Sequence, residues 1–240
     1  MIPYQNDKYD AAFKKIDGLK YYPWVGIDYG KMSRVMIVAE SVYNWGKEDD
    51  TDRRKEETTS ALNNWDFAQR VVYNNGLYFL KEHGHDNIKN SPTFRNLECA
   101  IYGKERAAIS DSERERLWKQ VSLHELIQQP MSGPDKRPKD NEYRQSAEIL
   151  AKIAGLLQPQ NILMLGTDWN NVKYAKSRMN LKNMGDENKI GRCRPKRFTV
   201  NIKDHCCTII MIKHPGKFFS WRKWHPYIKS CLADWHIYNT

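Results

Sequence analysis

Ile209-Ile-Met-Ile-Lys-His-Pro-Gly216 is the stretch on which the reading of this chain turns. Four apolar residues, three of them β-branched, predict a buried strand, and the Lys-His-Pro-Gly that follows must leave the sheet. Pro215 has no N–H to give to a ladder, and Gly216 tolerates backbone angles that other residues avoid. His214 is thereby set on a sharp strand-to-loop exit, from which one imidazole can project into a cleft. Its ordinary pKa of about 6.5 lets it donate a hydrogen bond or carry charge near neutral pH.

Working outward, the segments Phe198 to Ile202 and Cys206 to Ile212 predict two strands turning at Lys203-Asp204-His205. Arg34-Val-Met-Ile-Val-Ala39 predicts another buried strand, continuous and apolar as parallel strands are. It runs into Glu40-Ser41-Val42-Tyr43-Asn44-Trp45-Gly46, a polar and aromatic turn. A third, Val121 to Ile127, leads to the polar loop Gln128 to Pro138, and a fourth, Asn161 to Gly166, ends in glycine. Between these two lies a helix with Tyr143, Ala147, Leu150, Ala151, Ala154 and Leu157 on one face, capped by Asp140 and stopped by Pro159. Further helices are predicted from Ala61 to Leu80, from Phe94 to Tyr102 after Ser91-Pro92, and from near Asp168. Residues 47–60 are a run of charged and hydroxyl residues, read as an exposed insertion, and 180–197 as a basic loop.

Strands separated by helices predict an α/β sheet that is mostly parallel. In such sheets the site lies beyond the carboxyl ends of the strands. Glu40, Glu125 and His214 all stand at or just past those ends.

At 240 residues the chain fits one domain, able to bury about 70–75% of its unfolded surface without disulfides or metal. No long apolar run and no leader-like segment appears, and five cysteines without a C-x-x-C pair predict a reduced, cytoplasmic protein with no membrane span. Cys193, His205, Cys206, Cys207 and His214 do not converge on a metal, because adjacent cysteines on a strand face opposite ways. Neither metal nor cofactor is expected. The net charge of +10, with 39 Lys+Arg against 29 Asp+Glu, favours a polyanionic partner. Basic residues interleave with aromatics at Lys217-Phe218-Phe219-Ser220-Trp221-Arg222-Lys223-Trp224-His225, a composition suited to neutralising phosphates and stacking bases.

The order of these motifs resembles the uracil-DNA glycosylase superfamily. Val38-Ala-Glu40-Ser41-Val42-Tyr43 is similar to its first motif, and Gln129-Pro130 to Pro138 with the following helix and Ile162-Leu-Met-Leu-Gly166 to its middle segment. His214-Pro215-Gly216 is similar to its His-Pro-Ser motif. Pro23-Trp24-Val25-Gly26, Glu40-Ser41 and Trp224-His225-Pro226 resemble a divergent bacterial branch. The resemblance implies a three-layer α/β/α fold around a mostly parallel four-stranded sheet. It implies hydrolysis of the N-glycosidic bond of a base flipped out of single- or double-stranded DNA, with a DNA-binding or nucleotide-binding module that has lost catalysis as the alternative.

Under that resemblance His214 stabilises charge on the departing base and Glu40 positions water. Ser41, Tyr43, His124 and Glu125 contact the base. Phe218, Phe219 or Trp221 serves as the wedge that offsets unstacking, with Lys213, Lys217, Arg222 and Lys223 on phosphates. Ser41 stands where one branch has a water-activating aspartate. Glu125 stands where the family reads uracil with an asparagine amide. An ionised carboxylate only accepts hydrogen bonds, so the expected base carries an amino group and is a modified or damaged base rather than uracil.

Overall fold

The computed structural model describes residues 5–41, 92–129, 131, 137–167, 169–185, 187–216 and 218–238. The charged insertion at 47–60, the helix expected from Ala61 to Leu80, and the candidate residues Tyr43 and Lys217 lie outside the described residues.

Seven strands among the described residues form one sheet. They are β1 (Trp24–Val25), β2 (Val35–Ala39), β3 (Val121–Glu125), β4 (Asn161–Leu165), β5 (Lys182–Asn183), β6 (Lys196–Ile202) and β7 (His205–Ile212). Their order is β1-β3-β2-β4-β7-β6-β5. The four strands expected from their apolar runs are mutually parallel and adjacent, β3-β2-β4-β7. The sheet thus has seven strands where four were expected, and it is parallel only in its central four. Two-residue β1 joins antiparallel at one edge, and β6 and β5 continue the sheet antiparallel beyond β7. Both missed strands contain only two residues, too few to show periodicity, and β5 lies inside the segment expected as a basic loop.

Six α-helices among the described residues accompany the sheet: α1 (Asp10–Phe13), α2 (Pro92–Tyr102), α3 (Asp111–Gln120), α4 (Asp140–Leu157), α5 (Trp169–Met179) and α6 (Trp221–Cys231). Strand side chains alternate between two apolar clusters. Met36 and Val38 pack with Ile149, Ile153 and Leu157 of α4 on one face, while Val35, Ile37 and Ala39 pack with Leu97, Leu117 and Ile228 on the other. Helices thus cover both faces, as parallel strands require. On the second face, buried Glu98 accepts from the Trp118 indole at 2.9 Å and pairs with Arg114 at 3.3 Å, tying α2 to α3.

Helix α4 starts differently from expectation. Asp140 is its first helical residue, and the Glu142 carboxylate accepts from the Lys139 N–H just outside. At its other end Gln158 takes a left-handed conformation, with φ 48°, and Pro159 prevents continuation. No helix among the described residues is long and apolar enough to cross a membrane.

Candidate functional site

The parallel register brings the ends of β2 and β3 side by side, with Ala39 opposite Glu125. Pairing continues past the strands, where Leu126 and Ile127 donate to the Ala39 and Glu40 carbonyls at 2.9 Å. Glu40 is thereby fixed at the carboxyl edge, with little of its side chain exposed. Its Oε1 accepts from the Tyr143 hydroxyl and its Oε2 from Arg137 Nη1, both at 3.0 Å. Tyr143 is in turn held by stacking on Tyr174, ring centroids 6.4 Å apart.

His214 leaves β7 as expected, but the geometry of its loop differs in detail. Gly216 is not among the left-handed residues; the positive φ belongs to Phe218, at 61°. Glycine is needed at 216 because the imidazole folds back over it. Gly216 N–H donates to His214 Nδ1 at 3.1 Å, and a Cβ on Gly216 would stand 2.9 Å from that nitrogen. Since Nδ1 accepts, the ring proton resides on Nε2. The ring keeps an open side to solvent, yet the protein around it desolvates it, and the Arg137 charge adds to that. Both effects lower its pKa below the ordinary imidazole value and favour the neutral ring. Asn96 of α2 anchors the loop through Nδ2, which donates to the Pro215 carbonyl at 2.7 Å.

Glu125 is 6% exposed, and its Oε2 has no hydrogen-bond partner among the described residues. Burial raises its pKa to about 7. Its charge also helps, after burial itself, to keep the phenol of Tyr21 protonated. His124 points to the opposite face, as alternation along β3 demands. It is fully enclosed, and burial lowers its pKa to about 3, so it is a neutral core side chain apart from the other candidates. Ser41 Oγ is buried without a hydrogen-bond partner among the described residues.

The basic and aromatic segment divides. Lys213 Nζ donates to the Phe218 carbonyl at 2.6 Å, closing its own loop instead of standing free for a phosphate. Arg222 pairs with Glu105 and lies over the Trp221 ring, 4.6 Å from its centroid. Trp221 packs, partly buried, against the second apolar cluster, and Phe219 stacks on Trp224 at 5.9 Å. Phe218 projects, 83% exposed, at the loop tip, and Lys223 is exposed.

Arg137, Tyr143 and Asn96 escaped the sequence reading. Arg137 lay within the segment that carried the resemblance and was given no role. Tyr143 fell on the apolar stripe of α4 and was read as core. Asn96 carried no signal, because its partner is a backbone carbonyl more than a hundred residues away.

No family model matches the chain, and no curated protein does. A search of solved structures returns a domain of unknown function (DUF1537) from Bordetella bronchiseptica, solved with bound citrate as a domain-swapped dimer. Identity is 9% and the TM-score 0.35; the match covers 84% of this chain and 41% of that one. This chain therefore spans well under half of that protein's length, and a likeness at that level carries no information on a ligand.

Proposed function

We propose that the carboxyl edge of the sheet is a base-binding site and that the protein is a DNA glycosylase on the uracil-DNA glycosylase plan. The observation that carries this reading is the hydrogen bond from Gly216 N–H to His214 Nδ1, from which the tautomer of the ring follows. A neutral imidazole whose Nδ1 is occupied by Gly216 N–H presents Nε2–H as a preorganised donor. Such a donor stabilises charge growing on a departing base without reorganisation, by the physics of an oxyanion hole. Glu40, held from two sides, contributes a fixed negative charge for an electron-poor sugar and spare lone pairs for a water. Phe218 is the side chain best disposed to act as a wedge, being exposed at the tip of the His214 loop.

Burial of Glu125 alters which base edge it suits. Protonated, its carboxyl offers a donor and an acceptor, as an asparagine amide does, and matches a carbonyl beside an N–H. Ionised, it offers acceptors only and matches an amino-bearing edge. With its pKa at about 7, both forms are populated at neutral pH. The preference against uracil expected from an ionised Glu125 accordingly belongs to alkaline pH.

A second reading, binding of nucleic acid without cleavage, is favoured by Arg137, which neutralises Glu40, and by the lack of an acid at Ser41. The test is a panel of single- and double-stranded oligonucleotides, each with one unusual base, assayed at pH 6 and pH 8 for alkali-labile abasic sites. Abasic sites at one base, with Glu125→Gln retaining the pH 6 preference at pH 8, support the glycosylase. Salt-sensitive binding with no abasic sites supports the silent module.

A further inference from the structure

A cavity of about 660 Å³ opens at the other end of the sheet, between the segment following α1, the last turns of α4, the end of α5 and the β6–β7 turn. The β6–β7 turn adjoins the start of β7, whereas His214 follows its end, so this cavity is separate from the site above. Its floor is apolar, formed by Ile16, Val200 and Ile202. Lys15, Lys152, Arg178 and Lys203 line it as well, and among the described residues no Asp or Glu does. Arg178 is engaged by Glu148 at 2.8 Å, which leaves the three lysines as the rim's charge without an ion-pair partner among the described residues.

Gly155 keeps the floor open. It is buried in the last part of α4, where glycine is a poor helix residue. A Cβ there would meet Lys203 Cε at 3.5 Å, an ordinary contact, so packing alone does not demand glycine. A larger side chain at 155 would fill the space beneath the lysines. Two of the lining residues, Asn180 and Lys203, also hold left-handed backbone, with φ 52° and 55°.

We propose that this cavity binds a small amphipathic anion, an apolar body of roughly ten carbons bearing a carboxylate, with the body on the floor and the head among the lysines. The volume lies in the range of small-molecule pockets, and an apolar floor under a cationic rim complements that ligand and not a neutral one.

The experiment uses the full chain with anilinonaphthalene sulfonate as the fluorescent probe, competed by decanoate, decanol and acetate. The expected result is saturable binding of one probe, displaced by decanoate about tenfold more effectively than by decanol, and not by acetate. Gly155→Leu abolishes binding, and Lys15→Glu with Lys152→Glu, both exposed positions, weakens it by about tenfold or more with an unchanged circular dichroism spectrum. Should Gly155→Leu fail to fold, the charge-reversed pair alone decides. Absence of saturable binding, equal displacement by decanol, or affinity unaffected by charge reversal overturns the proposal.

Discussion

At the scale of single residues, the site depends on one backbone N–H. Gly216→Ala would put a methyl group 2.9 Å from His214 Nδ1 and 3.2 Å from Cε1, so the ring must move off its acceptor position. The expected outcome is a fall in base release of about tenfold or more, with little change in melting temperature. Side-chain nitrogen NMR would show Nδ1 losing its acceptor signature. Arg137 acts on the same ring through its charge. Arg137→Gln should raise the pKa of His214, read from an NMR titration; an unchanged value would remove Arg137 from the site's electrostatics.

Two adjacent residues of β3 have opposing pH dependence. Glu125 moves from 4.5 to about 7 on folding, so its contribution to stability falls as pH rises through that window. His124 moves from 6.5 to about 3, so stability is lost as pH falls below 6.5 towards 3. Between about pH 5 and 6.5 the two slopes oppose each other. Glu125→Gln should expose the His124 slope: its stability relative to the parent chain should climb by about 1.4 kcal/mol per pH unit up to about pH 7, then level off. Urea unfolding across pH measures this, and a difference constant with pH would mean that Glu125 is ionised and solvated.

At the scale of elements, the last turns of α4 offer a stability test independent of catalysis. Gly155→Ala should stabilise the chain by roughly 0.5–1 kcal/mol, because the added methyl meets only ordinary contacts and helix propensity rises. Loss of stability would show that the cavity floor is tighter than its geometry. This scale also separates what the sequence made legible from what it concealed. The parallel strands were readable because burial on both faces leaves unbroken apolar runs such as Val35–Ala39 and Ile209–Ile212. The β6–β7 turn was readable from the polar Lys203-Asp204 between such runs. Helix α3 was not, since only Arg114, Leu117 and Trp118 of its ten residues are buried and its sequence reads as a charged surface. Positions of Glu40, Glu125 and His214 at strand ends followed from topology alone. The fates of Lys213, Phe219, Trp221 and Arg222 did not, because whether a cation or ring faces solvent depends on partners such as Glu105 and Trp224 that lie on other turns of the chain.

At the scale of the whole molecule, the chain carries a net charge of +10, and basic side chains stand at both ends of the sheet. Lysines rim the cavity at the amino ends of the parallel strands, and Lys223 with Phe218 stands near the carboxyl ends. Binding of DNA at the carboxyl edge should weaken as salt is raised, yet be insensitive to charge reversal at Lys15 and Lys152. The central claim is that neutral His214 drives departure of a base. Mass spectrometry of free bases released from the oligonucleotide panel under enzyme excess tests it most directly. The account predicts one base released by the parent chain and a loss of about 10²–10³-fold in rate for His214→Ala, with DNA affinity retained. Release of no base from any bound oligonucleotide, or release undiminished in His214→Ala, would contradict it.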